Sequence, residues 1–253
     1  MLPRIIPCLL LRGSGFVKTR RFRNPVYLGD CFNTVRLFNE KEADELLILD
    51  IDATPEKRAP RFDFLRDLAS ECFMPLAYGG GVAAIADMRR LFSIGIEKVA
   101  INTAAVLQPE LIRQAAAEFG SQSVIVAIDV RRQLWSGNRV AVRCGRQVTT
   151  LDPVAAATRA EELGAGEILL TSVDRDGMMT GYDLDTLRRV TSAVSIPVIA
   201  CGGAGSVADL RSALTVGGAA AAAAGSLFVF NGPHRAVLIS YPQTATLLAQ
   251  AQL

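Results

Sequence analysis

The chain repeats itself, and few folds accommodate that. Glu45-Leu-Leu-Ile-Leu-Asp-Ile-Asp52 has the pattern of Glu167-Ile-Leu-Leu-Thr-Ser-Val-Asp174, 122 residues later. The same offset carries Pro75 onto Pro197, Gly80 onto Gly202 and Gly81 onto Gly203. Arg4-Ile-Ile-Pro-Cys-Leu-Leu10 matches Ser123-Val-Ile-Val-Ala-Ile-Asp129 at an offset of 119. Each half supplies an apolar strand ending near a carboxylate, and a later strand ending in a Gly-Gly turn. Such a duplication predicts one ring of strands with two similar anion sites across a shared mouth.

Eight short apolar runs follow one another: Ile5–Leu10, Leu46–Ile51, Leu76–Tyr78, Lys98–Ile101, Val124–Ile128, Ile168–Thr171, Val198–Ala200 and Ala219–Ala223. Runs without polar alternation suit parallel strands buried on both faces. Amphipathic segments separate them, at Asp63–Cys72, Ala84–Ser93, Pro109–Phe119, Pro153–Leu163, Leu184–Val190 and Val207–Thr215. Strict alternation predicts an α/β fold, a single (β/α)₈ TIM barrel over residues 1–253. Its half-barrels fall at about 1–120 and 121–230, followed by a C-terminal segment, 231–253. A doubly wound open sheet is the alternative. It explains the alternation but not the repeat, and the first strand lacks a GxGxxG turn. Two regions break the rhythm. Leu11 to Cys31 reads as a long loop, and Arg131 to Thr150 contains Trp135-Ser-Gly-Asn138, the turn of a hairpin.

Composition narrows the function classes. The 253 residues suit one barrel, which needs about 250, and 50% are hydrophobic. A net charge of +2 gives no case for nucleic acid. Cys8, Cys31, Cys72, Cys144 and Cys201 are scattered, with no CxxC pair or His cluster, so neither a metal site nor a disulfide framework is expected. No cofactor is called for. Ile5–Leu11 lacks the flanks of a signal peptide. Leu214–Phe230 is uncharged but too short and Gly/Ala-rich for a spanning helix, and reads as a buried strand plus a tight loop. A cytoplasmic protein without membrane contact is expected.

The chemistry lies at strand ends. Tyr78-Gly-Gly-Gly81 and Cys201-Gly-Gly-Ala-Gly205 each end a strand and lead into a helix, so backbone N–H groups and a dipole can meet an anion. One strand later come Asn102-Thr103 and Gly225-Ser226. Tight turns alone would also explain the glycines. Two sets in register favour phosphate binding by Gly80, Gly81, Asn102 and Thr103 and by Gly202, Gly203, Gly225 and Ser226. Among the carboxylates, Asp129 and Asp176 are the candidate acid/base groups. Asp50, Asp52 and Asp174 are expected to cap or pair. His234, the single histidine, reads as a surface residue. At the opposite strand ends Arg4, Glu45, Lys98 and Glu167 have balanced charge and can form a ring.

These motifs resemble the cyclase subunit of imidazole glycerol phosphate synthase over nearly the whole chain, to about Phe230. Gly164-Ala-Gly-Glu-Ile-Leu-Leu-Thr-Ser172, Asp174-Arg-Asp-Gly177, Gly181-Tyr-Asp183, Gly202-Gly-Ala-Gly205 and Ile101-Asn-Thr-Ala-Ala105 carry the resemblance. It implies an enzyme of the lyase class in a glutamine amidotransferase complex. Such a barrel accepts ammonia from a class-I glutaminase and cyclises a bis-phosphorylated ribonucleotide. It assigns catalysis to Asp129, Lys18 and Asp176, phosphate binding to both glycine turns, and the ammonia gate to Arg4, Glu45, Lys98 and Glu167.

One position departs. The family's second catalytic aspartate should end the first strand, where this chain has Leu10. Leu10-Leu11, Val17-Lys-Thr19, Gly29-Asp30, Leu49-Asp-Ile-Asp-Ala-Thr54 and His234-Arg-Ala-Val-Leu-Ile-Ser-Tyr241 are more similar to a divergent branch. That branch is associated with amidation of sugars in bacterial surface polysaccharides, with a sugar amidotransferase as a further partner. The resemblance thus leaves three roles open. One is ammonia-dependent chemistry on a phosphorylated substrate for polysaccharide amidation. The second is histidine-pathway cyclisation, with Asp50 or Asp52 replacing the missing carboxylate. The third is a non-catalytic scaffold that conducts ammonia.

Overall fold

The computed structural model describes residues 3–232 and 234–242. In chain order the strands are β1 (Arg4–Arg12), β2 (Gly15–Arg20), β3 (Arg23–Asp30), β4 (Leu46–Asp50), β5 (Leu76–Gly79), β6 (Lys98–Ile101), β7 (Val124–Gln133), β8 (Gly137–Val142), β9 (Gln147–Val148), β10 (Glu167–Ser172), β11 (Val198–Cys201), β12 (Ala221–Ala224), β13 (Phe230–Asn231) and β14 (Ala236–Val237). The helices are α1 (Cys31–Glu40), α2 (Phe62–Ser70), α3 (Ile85–Ser93), α4 (Thr103–Leu107), α5 (Glu110–Phe119), α6 (Pro153–Glu162), α7 (Leu184–Thr191), α8 (Val207–Thr215) and α9 (Ser226–Val229).

Strands β1, β4, β5, β6, β7, β10, β11 and β12 pair in parallel in that order, and β12 returns to β1. The sheet therefore closes into a barrel, and the open-sheet alternative is excluded. All eight expected strands and all six expected helices form, with boundaries shifted by a residue or two except at β7, which runs five residues past Ile128 to Gln133. Helix starts follow local chemistry. Asp152 accepts from Val154 N at 2.9 Å with Pro153 at the first helical position of α6, and Ser206 and Asp209 form a capping box for α8. No helix among the described residues is long and apolar enough to cross a membrane.

Successive residues of a strand face opposite sides, so the barrel has two cores. Outward residues pack under the helices. Inward ones, among them Ile6, Cys8, Leu47, Ala77, Ala100 and Ala127, make a separate cluster along the bore, mostly of small side chains.

The segment after the first strand is not a loop. β1 runs past the barrel rim, turns at Gly13-Ser14 and pairs antiparallel with β2, which pairs with β3. β7 does the same with β8 and β9, reversing at Leu134–Ser136. Gly13-Ser14 is a two-residue hairpin signal, but the apolar run before it lacks the alternation that marks the second ribbon, which is why the sequence hides the first. Helix α1 was also not anticipated. Asp30 caps it, accepting from Asn33 N at 2.9 Å.

The repeat is visible in detail. A Cβ on Gly80 would lie 2.4 Å from the Asp50 carbonyl oxygen, and one on Gly202 would lie 2.6 Å from that of Ser172. Asp50 and Ser172 are themselves 122 residues apart. Asn102 (φ −112°, ψ −76°) and Gly225 (φ −118°, ψ −68°) have nearly the same backbone conformation before α4 and α9. Gly80→Ala should therefore destabilise more than Gly137→Ala. Both residues have positive φ, but nothing lies within 4 Å of a Cβ at Gly137. The φ strain alone costs about 1–3 kcal/mol, and urea unfolding of the two variants would isolate the added clash.

Candidate active site

The C-terminal ends of the strands open into a cavity of about 710 Å³. Its walls include Leu10, Lys18, Asp129, Asp176 and both glycine turns with the residues one strand later. The residues predicted to act together at the mouth are thus brought together.

Lys18 reaches this cavity from β2. It is 4% exposed, and its ammonium donates to the Cys8 carbonyl at 3.0 Å. Gly225 makes room for it, since a Cβ there would lie 1.8 Å from Nζ. The ribbon that carries Lys18 is fastened to the turn after β10. Thr19 Oγ1 donates to Asp176 Oδ2 at 2.8 Å, and Arg21 N donates to the Asp176 carbonyl at 2.8 Å. Sequence reasoning missed Thr19, whose partner is 157 residues away in sequence.

The carboxylates differ in environment. Asp50 is buried, accepting from Ala53 N at 3.1 Å and from Arg58 at 2.9 Å through Oδ1, while Oδ2 has no partner. Asp52 faces Arg12 at 3.7 Å. Asp174 accepts from Arg132 N at 2.7 Å. These three pair with cations or backbone, as their expected lesser role requires. Asp129 ends the barrel part of β7, in register with Thr171 of β10. Loss of hydration and then the charge of Asp176 push its carboxyl up to about 7. That value suits proton exchange near neutral pH. Leu10, buried at 7% exposure, sits among Leu49 and Val17, its register neighbours on β4 and β2. Neither neighbour can bear a charge.

Two thiols share the cavity floor. The interaction between the Cys8 and Cys201 thiols holds that of Cys8 below its ordinary range, with Lys18 adding to the effect, and raises that of Cys201.

The side chains at the first anion site are already engaged. Asn102 Nδ2 donates to the Ala127 carbonyl at 3.0 Å, and Thr103 Oγ1 accepts from Arg143 N at 2.9 Å. At the second, Ser226 Oγ is buried and has no partner. The Gly203 position is tighter than the sequence implies. A Cβ would lie 2.2 Å from the Gly181 carbonyl oxygen, so a larger residue there would disturb packing whatever binds.

At the opposite end Arg4, Glu45, Lys98 and Glu167 do form a ring. Arg4 bonds Glu45, and bonds Glu167 at 2.7 Å; Lys98 meets Glu45 at 3.1 Å and Glu167 at 3.2 Å. Each carboxylate is shared by two cations, which offsets the desolvation of a nearly buried site. His234 is exposed.

The family described as histidine biosynthesis protein matches residues 4–233. The chain belongs to that family. A Pseudomonas aeruginosa protein is 50% identical over 244 residues, 96% of this chain and 97% of that protein. It bears the provisional name imidazole glycerol phosphate synthase subunit hisF2. A Leptospira interrogans protein, provisionally named as the same synthase's subunit HisF, is 47% identical over 241 residues, 95% of each. The imidazole glycerol phosphate synthase subunit HisF of Alkaliphilus metalliredigens is 46% identical over 228 residues, 90% of each. The histidine biosynthesis family match thus spans the bore, both glycine turns and the ionic ring.

The raised Asp129 makes stability depend on pH. The unfolded chain ionises this carboxyl near its ordinary value of about 4, whereas the folded protein keeps the proton to about pH 7. Ionisation therefore opposes folding. The cost is absent below about pH 4, grows as pH rises, and is complete above about pH 7. Asp129→Asn, which cannot ionise, should gain most over the parent above pH 7 and little near pH 4. Thermal unfolding midpoints across that range would check this.

Proposed function

We propose that this barrel is the ammonia-using subunit of a glutamine-dependent complex, working on a phosphorylated acceptor in amidation of a surface-polysaccharide sugar. On this reading a class-I glutaminase docks at the ring of Arg4, Glu45, Lys98 and Glu167. Ammonia crosses the narrow, mostly apolar bore, and a sugar amidotransferase is a further partner. Residues 1–253 act as one cytoplasmic unit, with half-barrels at 1–120 and 121–230.

The observation that carries the reading is Leu10. Ammonia adding to an electrophilic carbon must lose a proton, and cyclisation with cleavage requires further proton transfers on another face of the substrate. Asp129, titrating near neutrality, serves one such transfer. An alkyl side chain at residue 10 serves none. Asp50 is a poor replacement because its Oδ1 is already taken up by Arg58 and the Ala53 amide. Lys18 supplies the positive charge for an anion beside Gly225, and Ser226 Oγ is an unused donor there.

Histidine-pathway cyclisation is the second reading. The name of the Alkaliphilus relative favours it, as does Asp176, close enough to perturb Asp129.

Turnover separates these two readings, and two further measurements test what they share. With saturating ammonium the unmodified barrel should turn over the histidine-pathway intermediate about 10²–10⁴-fold more slowly than ordinary cyclases, the usual value of one acid/base group. Leu10→Asp should recover part of that loss, and ordinary turnover by the unmodified protein would return it to histidine synthesis. Ser226→Ala should weaken inorganic phosphate binding at the second site without lowering the unfolding midpoint. Lys98→Glu should uncouple glutamine hydrolysis from use of its ammonia, whereas no class-I glutaminase binding to the unmodified barrel would remove the ammonia reading.

A further inference from the structure

The C-terminal segment reaches the ionic ring. After α9 the chain forms the short β13–β14 hairpin, then runs extended, with Leu238 N bonded to the Val229 carbonyl at 3.0 Å and Ser240 N to that of Phe228 at 2.8 Å. Tyr241 ends this run. Its ring lies against Phe228, with centroids 5.6 Å apart. Its hydroxyl donates to the Ile5 carbonyl at 2.8 Å and accepts from Asp44 N at 3.1 Å.

These partners lie where the barrel seam is incomplete. β1 pairs with β12 from Arg4 upward, but with β4 only from Cys8. The stagger that closes a barrel thus leaves the lowest part of β1 without a ladder on the β4 side. Pro7 has no N–H to offer there. Ile5 N instead donates to Asp44 Oδ2 at 2.8 Å, and the Ile5 carbonyl takes the Tyr241 hydroxyl. Asp44 and Tyr241 therefore stitch β1 to the start of β4. The residues next to the stitch are Arg4 and Glu45, which face each other across the ring.

We infer that Tyr241 is a positioning residue for the ring: its hydroxyl fixes the separation of Arg4 and Glu45, and so how often the ring opens. This deepens the reading of the ring as an ammonia entrance but is tested without a partner. If no glutaminase binds, the ammonia reading fails and this one is untouched.

The test is solvent exchange of the Arg4 guanidinium protons, followed by ¹⁵N NMR on the full-length protein. Tyr241→Phe keeps the ring and removes the hydroxyl. It should speed exchange roughly fivefold, the change in an open-to-closed ratio that matches the net contribution of one ordinary hydrogen bond. Phe228→Leu weakens packing under Tyr241 but leaves the hydroxyl, and should leave Arg4 exchange near the parent rate at matched global stability. A chain ending at Ser240 should exchange at least as fast as Tyr241→Phe and serves if that variant folds poorly. Unchanged exchange in Tyr241→Phe or in the shortened chain, or equal acceleration in Phe228→Leu, would overturn the assignment.

Discussion

Parity governs this molecule. In a closed ring of parallel strands every second residue faces the bore, so residues two apart on one strand share an interior while their neighbours face the helices. On β1 that places Arg4, Ile6, Cys8 and Leu10 along one line. On β7 the line is Ile125, Ala127 and Asp129, and on β10 it is Glu167, Leu169 and Thr171. Stacked around the axis, these lines make three levels: an ionic ring at the bottom, a mostly apolar middle of small side chains, and a mouth with titratable groups. A one-residue slip in any strand would exchange a bore residue for one meant to lie under a helix.

The same geometry explains why the mouth combines opposite environments. Asp129 stands above the apolar level and loses hydration, while Asp50 is anchored by Arg58 and by amides of its own turn. Lys18 enters from the side, on a ribbon made by prolonging β1 beyond the rim. The barrel proper fixes Asp129, but Lys18 depends on the contacts of Thr19 and Arg21 with Asp176.

Much of this was legible in the sequence because its signals are local or repeated. The strands announce themselves as apolar runs, the glycine turns recur at a constant offset, and the ring residues start strands at equivalent places. The first ribbon was not legible, since Leu11–Cys31 carries glycines and cations but no clean alternation. Thr19 and Tyr241 were equally silent. Each acts through one hydroxyl on a partner more than 150 residues away, and no spacing rule encodes such a contact. The glycine turns were legible for only one of their two causes. An anion was inferred, whereas the backbone of a neighbouring turn already fills the space a side chain would need.

That second cause has a consequence for how such a barrel can change. Gly80 and Gly202 are demanded by the crossing of Asp50 and Ser172 beneath them, so folding itself selects against their replacement. Leu10 is under no such demand, for a side chain at that place meets a cavity and not a backbone. Mutational drift will therefore act unequally on the two parts of the mouth. The turns stay as they are for as long as the protein folds, and the reacting group is free to be exchanged. A lineage can lose one chemistry and acquire another without rebuilding the turns beneath it.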